Sequence, residues 1–136
     1  MNEEQYSRAN KRVLLAIVVV FGYIAATLML ALVVSQGGHA SKIMMEAVTA
    51  AAVIVISVAA YLGKRTTRTC AVIMTLSMMI GYFVIVQLNT TVGTWTYGLP
   101  LLIAAMVYLD KKIVMMTNGI ALVAIIVHLV LSLIHI

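Results

Sequence analysis

The chain has 136 residues, of which 64% are hydrophobic and 10% charged, and its formal net charge is +5. Its mean hydropathy is +1.13, whereas a soluble globular domain is roughly 25% charged, so an ordinary soluble domain is excluded and most of the surface must face lipid. No stretch is long and polar enough for a soluble catalytic domain, and the nine Lys and Arg residues sit in short groups between apolar runs, where they act as topology signals rather than as a nucleic-acid surface.

The first twelve residues are polar and lead into an unbroken apolar run, Val13 to Val34. A span of about 30 Å of hydrocarbon takes ~20 helical residues, so a first transmembrane helix is predicted over 13–35. The run is too long for the apolar region of a cleaved secretory signal, which is ~7–15 residues. A turn containing Gly37-Gly38 follows, and a second helix is predicted over 43–63. Its one charge, Glu46, is expected in the first turn, paired with Lys42 four residues earlier. After the basic break Lys64-Arg65-Thr66-Thr67-Arg68, a third helix is predicted over 69–88.

The uncharged segment Asn89 to Tyr97 suits a membrane interface, with Trp95 and Tyr97 as belt aromatics. Gly98 to Leu109 supplies only twelve apolar residues, roughly 18 Å of helix; counting back to Val92 gives a marginal fourth span over 92–109, and Pro100 suits the first turn of a helix that begins around Tyr97 to Leu99, whereas deeper in a helix it would produce a kink. Asp110-Lys111-Lys112 closes it, and a fifth helix is predicted over 113–136. The fold class is therefore an all-α integral membrane bundle of five transmembrane helices, with a short polar segment (1–12) ahead of one helical domain (13–136).

The basic residues test this layout independently of hydropathy. With the N-terminus cytoplasmic, Arg8, Lys11, Arg12, Lys64, Arg65, Arg68, Lys111 and Lys112 all fall inside, and only Lys42 falls outside. Short loops carry their Lys and Arg excess on the cytoplasmic side, so the asymmetry favours both the helix count and the orientation. The last helix has no polar flank, and Ser132 to Ile136 resembles a translated adapter tail, so the sequence is expected to be a C-terminally truncated fragment.

Few residues could carry chemistry. Glu46 is a candidate proton or cation site of a small transporter, and His128, well inside the fifth helix, could titrate or bind a metal; an interhelical hydrogen bond is the simpler role for His128. Asn118 is placed to link the fourth and fifth helices. Met74 and Met78 are soft groups one turn apart, near Cys70, but Met44-Met45, Met78-Met79 and Met115-Met116 are adjacent pairs that point apart on a helix, so flexible apolar filling is the expected role. Gly22 with Ala26, Ala59 with Gly63 and Ser77 with Gly81 have the four-residue spacing of close helix contacts. Neither paired carboxylates, nor a phosphate-binding glycine loop, nor a serine–histidine arrangement occurs, so an enzyme, a cofactor and a metal are not expected.

The residues Tyr97, Pro100, Tyr108, Asp110 and Asn118, together with the polar start Tyr6 to Arg12 and the basic second break, carry a resemblance over nearly the whole chain. It resembles the N-terminal multi-helix membrane sensor region of bacterial methyl-accepting chemotaxis proteins; related sensor regions precede diguanylate cyclases and histidine kinases. In that group an aromatic and a proline open one helix, a tyrosine and an aspartate close it, and a polar residue follows in the next. The resemblance implies a six-helix sensor in the bacterial cytoplasmic membrane, associating as a homodimer or higher array. Its last helix would signal to cytoplasmic proteins through a C-terminal module that this sequence lacks. Gln87, Asn89, Thr91, Trp95 and Tyr97 are the expected stimulus contacts, because their amide, hydroxyl and aromatic groups stay near the outer interface. A small multi-helix transporter or proton-coupled exporter is the competing expectation.

Overall fold

The computed structural model describes residues 2–34, 40–88 and 96–134. Among them the chain forms five α-helices: α1 (Glu3–Val34), α2 (Ala40–Lys64), α3 (Arg68–Leu88), α4 (Gly98–Met106) and α5 (Lys111–Ile134). Helices α1, α2, α3 and α5 are each long and apolar enough to cross a membrane, which marks the chain as a multi-pass membrane protein.

The first helix starts ten residues before the apolar run, because the polar segment is itself helical. Asn2 and Gln5 form a reciprocal cap: the Gln5 N–H donates to Asn2 Oδ1 and the Asn2 N–H donates to Gln5 Oε1, both at 2.9 Å. Glu3 and Glu4 in the first turn complement the helix dipole. As a result Ala9 and Asn10 belong to α1 and are buried.

α4 is shorter than its predicted span. Its nine residues rise about 14 Å. Beyond Met106 the chain tightens into i→i+3 bonds, Val107 to Ala104, Tyr108 to Ala105 and Leu109 to Met106, and Leu109 takes a left-handed φ of 51°. Pro100 is the third residue of α4, where its missing N–H removes no ladder bond. The ring of Tyr97 meets that of Tyr23 edge-on, with centroids 6.3 Å apart, while Tyr108 reaches Asn10. The segment from Tyr97 to Tyr108 thus runs antiparallel to α1 along Asn10 to Tyr23, about 20 Å at helical rise.

α3 is the hub, packing against every other helix; α1 packs along α2, and α2 and α5 lie on separate flanks of α3. Its side chains Cys70, Ala71, Met74, Met78, Met79, Tyr82, Ile85 and Val86 form the centre of the core with Val13, Ile17 and Phe21 of α1, Leu101 and Ala105 of α4 and Ala124 of α5. Lipid is as apolar as this core, so the bundle is held by close packing and hydrogen bonds rather than by burial from water. Large apolar side chains such as Leu15, Val33, Val55, Leu62, Leu122 and Leu133 accordingly face outward.

Of the three small-residue pairs, one makes a helix contact. A Cβ built on Gly81 would collide with Val53 Cγ2 and lie 3.3 Å from the Phe21 ring, whereas at Gly22 and Gly63 nothing lies within 4 Å. Ser77, on the same face of α3, pairs its hydroxyl with that of Ser57 on α2 at 3.3 Å. The Ser77–Gly81 stripe is therefore where α2 and α3 approach each other.

Candidate functional site

The polar groups gather at the two ends of the bundle. At one end lie Arg8, Lys11 and Arg12 at the start of α1, Lys64 and Arg65 at the α2–α3 turn, Arg68 at the start of α3, and Lys111 and Lys112 at the start of α5. Lys42 stands near the start of α2, at the opposite end.

The basic end is cross-linked by two polar clamps. Asn10 is fully buried; its amide Nδ2 donates to the carbonyls of Arg65 at 2.8 Å and Thr67 at 3.4 Å, and its Oδ1 accepts from the Tyr108 hydroxyl at 2.7 Å. One side chain thereby satisfies two carbonyls of the α2–α3 turn and fixes the end of the α4 segment to α1. Thr67 stiffens the same turn: its hydroxyl donates to Lys64 O at 2.8 Å and accepts from the Cys70 N–H at 3.3 Å.

Asp110 forms the second clamp. Its Oδ1 accepts from the Lys112 N–H at 2.9 Å, capping α5, and its Oδ2 accepts from Arg68 Nε at 2.8 Å, which ties α5 to the start of α3. The Arg68 hydrogen bond, aided by the Lys112 N–H, holds the Asp110 carboxyl below its ordinary range. Because the folded-state value is depressed, the clamp's contribution is present above the ordinary carboxylate value of about 3.9 and is lost as pH falls through the lower folded value. Asp110→Asn is expected to remove this acid-side loss and to lower neutral-pH stability by the same small amount, since the Arg68 side chain is 48% exposed; thermal melts of the two proteins in detergent from acid to neutral pH would check it.

Sequence reasoning named Tyr108 and Asp110 but missed their partners. Asn10 lies between Arg8 and Lys11 and reads as solvated; the Asn2–Gln5 capping pair was the signal that the helix extends through it. Asn118 does not link α4 and α5: it is exposed, and its Nδ2 donates to Val114 O of its own helix at 2.8 Å.

At the other end, Gln87 in the last turn of α3 donates from Nε2 to Ala124 O of α5 at 2.8 Å, and its Oε1 is buried without a hydrogen-bond donor. Tyr97 lies at the same end against Tyr23. The structure thus places Gln87 and Tyr97 at one end of the bundle without joining them, and Asn89, Thr91 and Trp95 lie outside the described residues. His128 is half-buried one turn beyond Ala124.

Glu46 departs from its expected setting. Because α2 begins at Ala40, Glu46 occupies the second turn, on the inward stripe shared with Ala50, Val53 and Ser57, and it is only 3% exposed. Among the described residues the ion pairs are Arg8–Glu4 and Arg68–Asp110, so Glu46 is not paired with Lys42.

Compared with models of protein families, with curated proteins and with solved structures, the chain matches none.

Proposed function

We propose that the chain is the membrane-embedded sensing bundle of a bacterial signal transducer, of the kind that precedes a chemoreceptor's cytoplasmic module. In this reading the α4 segment completes a fifth crossing. The end carrying eight of the nine Lys and Arg residues faces the cytoplasm, and the host membrane is the bacterial cytoplasmic membrane. The observation that carries the reading is the pair of clamps made by Tyr108 and Asp110, two residues of the motif that resembles chemoreceptor sensor regions. They join α1, the α2–α3 turn and the start of α5 at the basic end, which is where a signal must leave the bundle.

The mechanism is non-enzymatic. A stimulus that binds near Gln87 and Tyr97, at the outer end, favours one packing of α3 against α5. The shift runs along α5 to Asp110 and along the α4 segment to Tyr108, and is delivered as a small displacement at the basic end. Cytoplasmic signalling proteins then respond through a downstream module, within a homodimer or larger array.

The coding sequence beyond Ile136 tests this. A further apolar span followed by a heptad-patterned helical region rich in Glu and Ala is expected. A stop codon directly after Ile136 in the native gene would overturn the reading.

A further inference from the structure

We propose that Glu46 is a reversible proton-binding site, its neutral form closing the seam of α1, α2 and α3 at the end opposite the basic clamps and its ionised form loosening it. The proposal does not depend on which cytoplasmic module, if any, the bundle serves.

Three contacts define the seam. Val53 meets the face of Gly81 together with Phe21, Ser57 meets Ser77, and Asn10 meets the carbonyls of Arg65 and Thr67. These antiparallel pairings, continued along α2, bring Glu46 level with Leu28 of α1 and Leu88 of α3. Its burial at 3% exposure sets it on the same inward stripe as Val53 and Ser57.

Among the described residues no cation stands within ion-pair distance of the Glu46 carboxylate, and Lys42 is the one charge that acts on it, from a turn away. From Ile24 to Val34, α1 has no titratable side chain, and the last turns of α3 from Phe83 onward contribute only the neutral Gln87. The other titratable groups of this half are Lys42, one turn earlier on α2 itself and not within ion-pair distance, Tyr23 of α1, Tyr82 of α3, Tyr97 ahead of α4, and His128 on α5, across α3 from α2. His39 lies outside the described residues.

A buried carboxylate whose nearest counter-charge, Lys42, makes no ion pair with it is costly to keep ionised at membrane depth, and taking up a proton removes most of that cost. Gln87 Oε1, a second buried acceptor at this end, lacks a donor. A purely structural position on this stripe would carry an apolar or small residue, as its neighbours Ala50, Val53 and Ser57 do.

The test uses the full chain in phosphatidylcholine–phosphatidylglycerol nanodiscs, with spin labels at Leu30→Cys on α1 and Met45→Cys on α2 in a Cys70→Ser background; both positions are exposed. Raising the pH is expected to lengthen the label-to-label distance in a single one-proton transition, and an infrared carboxylic-acid band is expected to disappear with the same midpoint. Glu46→Gln, a neutral isostere, should hold the short distance at every pH and lack the band; Glu46→Asp should keep a transition. A transition that survives in Glu46→Gln, one that is lost instead in His128→Gln, or no transition in the parent protein would each overturn the proposal.

Discussion

Replacing Asn10 by leucine is expected to destabilise the bundle by about 3 kcal/mol or more, because the change strands a buried hydroxyl and deprives two turn carbonyls of their donor, at about 1–3 kcal/mol for each buried group left unpaired. The decisive comparison is with Tyr108. Tyr108 is 1% exposed, and its hydroxyl donates to Asn10 Oδ1, so Tyr108→Phe alone leaves that oxygen without its donor and is expected to cost about 1–2 kcal/mol. In the Asn10→Leu background the same change removes the stranded hydroxyl, so it should be neutral or stabilising. Urea unfolding from detergent micelles, followed by circular dichroism over the four combinations, measures this coupling. Additive losses would mean that the two side chains do not act as one clamp.

The second large effect is expected at Gly81, where Gly81→Leu should cost about 2–3 kcal/mol by forcing α2 away from α3. The Cβ alone would run into Val53 Cγ2, on a short β-branched side chain, and would lie 3.3 Å from the Phe21 ring as well, so relief needs the helices to move. Val53→Ala should recover part of the loss in the double variant. At Gly22, where nothing lies within 4 Å, Gly22→Ala should instead gain up to about 1 kcal/mol from helix propensity. The same unfolding measurement separates the two glycines; equal effects at both would contradict the seam described here.

The sequence made the long helices plain because each apolar run exceeds what a soluble helix needs, and the basic residues marked their ends. It did not reveal which face of each helix is inward. In a soluble bundle the outward face is polar and declares itself, but here both faces are apolar, so periodicity distinguishes little. The inward faces were legible only in their exceptions: the small and polar positions Glu46, Ala50, Val53 and Ser57 at spacings of four, three and four, and Ser77 with Gly81. The spacing that picked out Ser77 and Gly81 equally picked out Gly22 with Ala26, because abundant small residues give the same pattern on a lipid-facing side.

The polar start hides its helix for a different reason. Polarity ahead of an apolar run suggests a solvated tail, yet the Asn2–Gln5 cap carries the helix through it and brings Asn10 into the core. The shortness of α4 was visible as twelve apolar residues, but its 3₁₀ ending and the left-handed Leu109 were not, since no glycine or asparagine marks that turn. Tyr108 and Asp110 were recognisable as members of a motif; their work as clamps depends on partners 98 and 42 residues away, a separation that no local pattern encodes.

The central claim is that a bundle clamped at its basic end has that end in the cytoplasm and its Glu46 and Gln87 end outside. Single cysteines at Thr66, in the α2–α3 turn, and at Ser41, at the start of α2, in a Cys70→Ser background, test it directly with a membrane-impermeant thiol reagent on intact cells and on inverted vesicles. Labelling of Ser41→Cys in cells and of Thr66→Cys only in inverted vesicles is the expected result, and the reverse pattern would contradict the account.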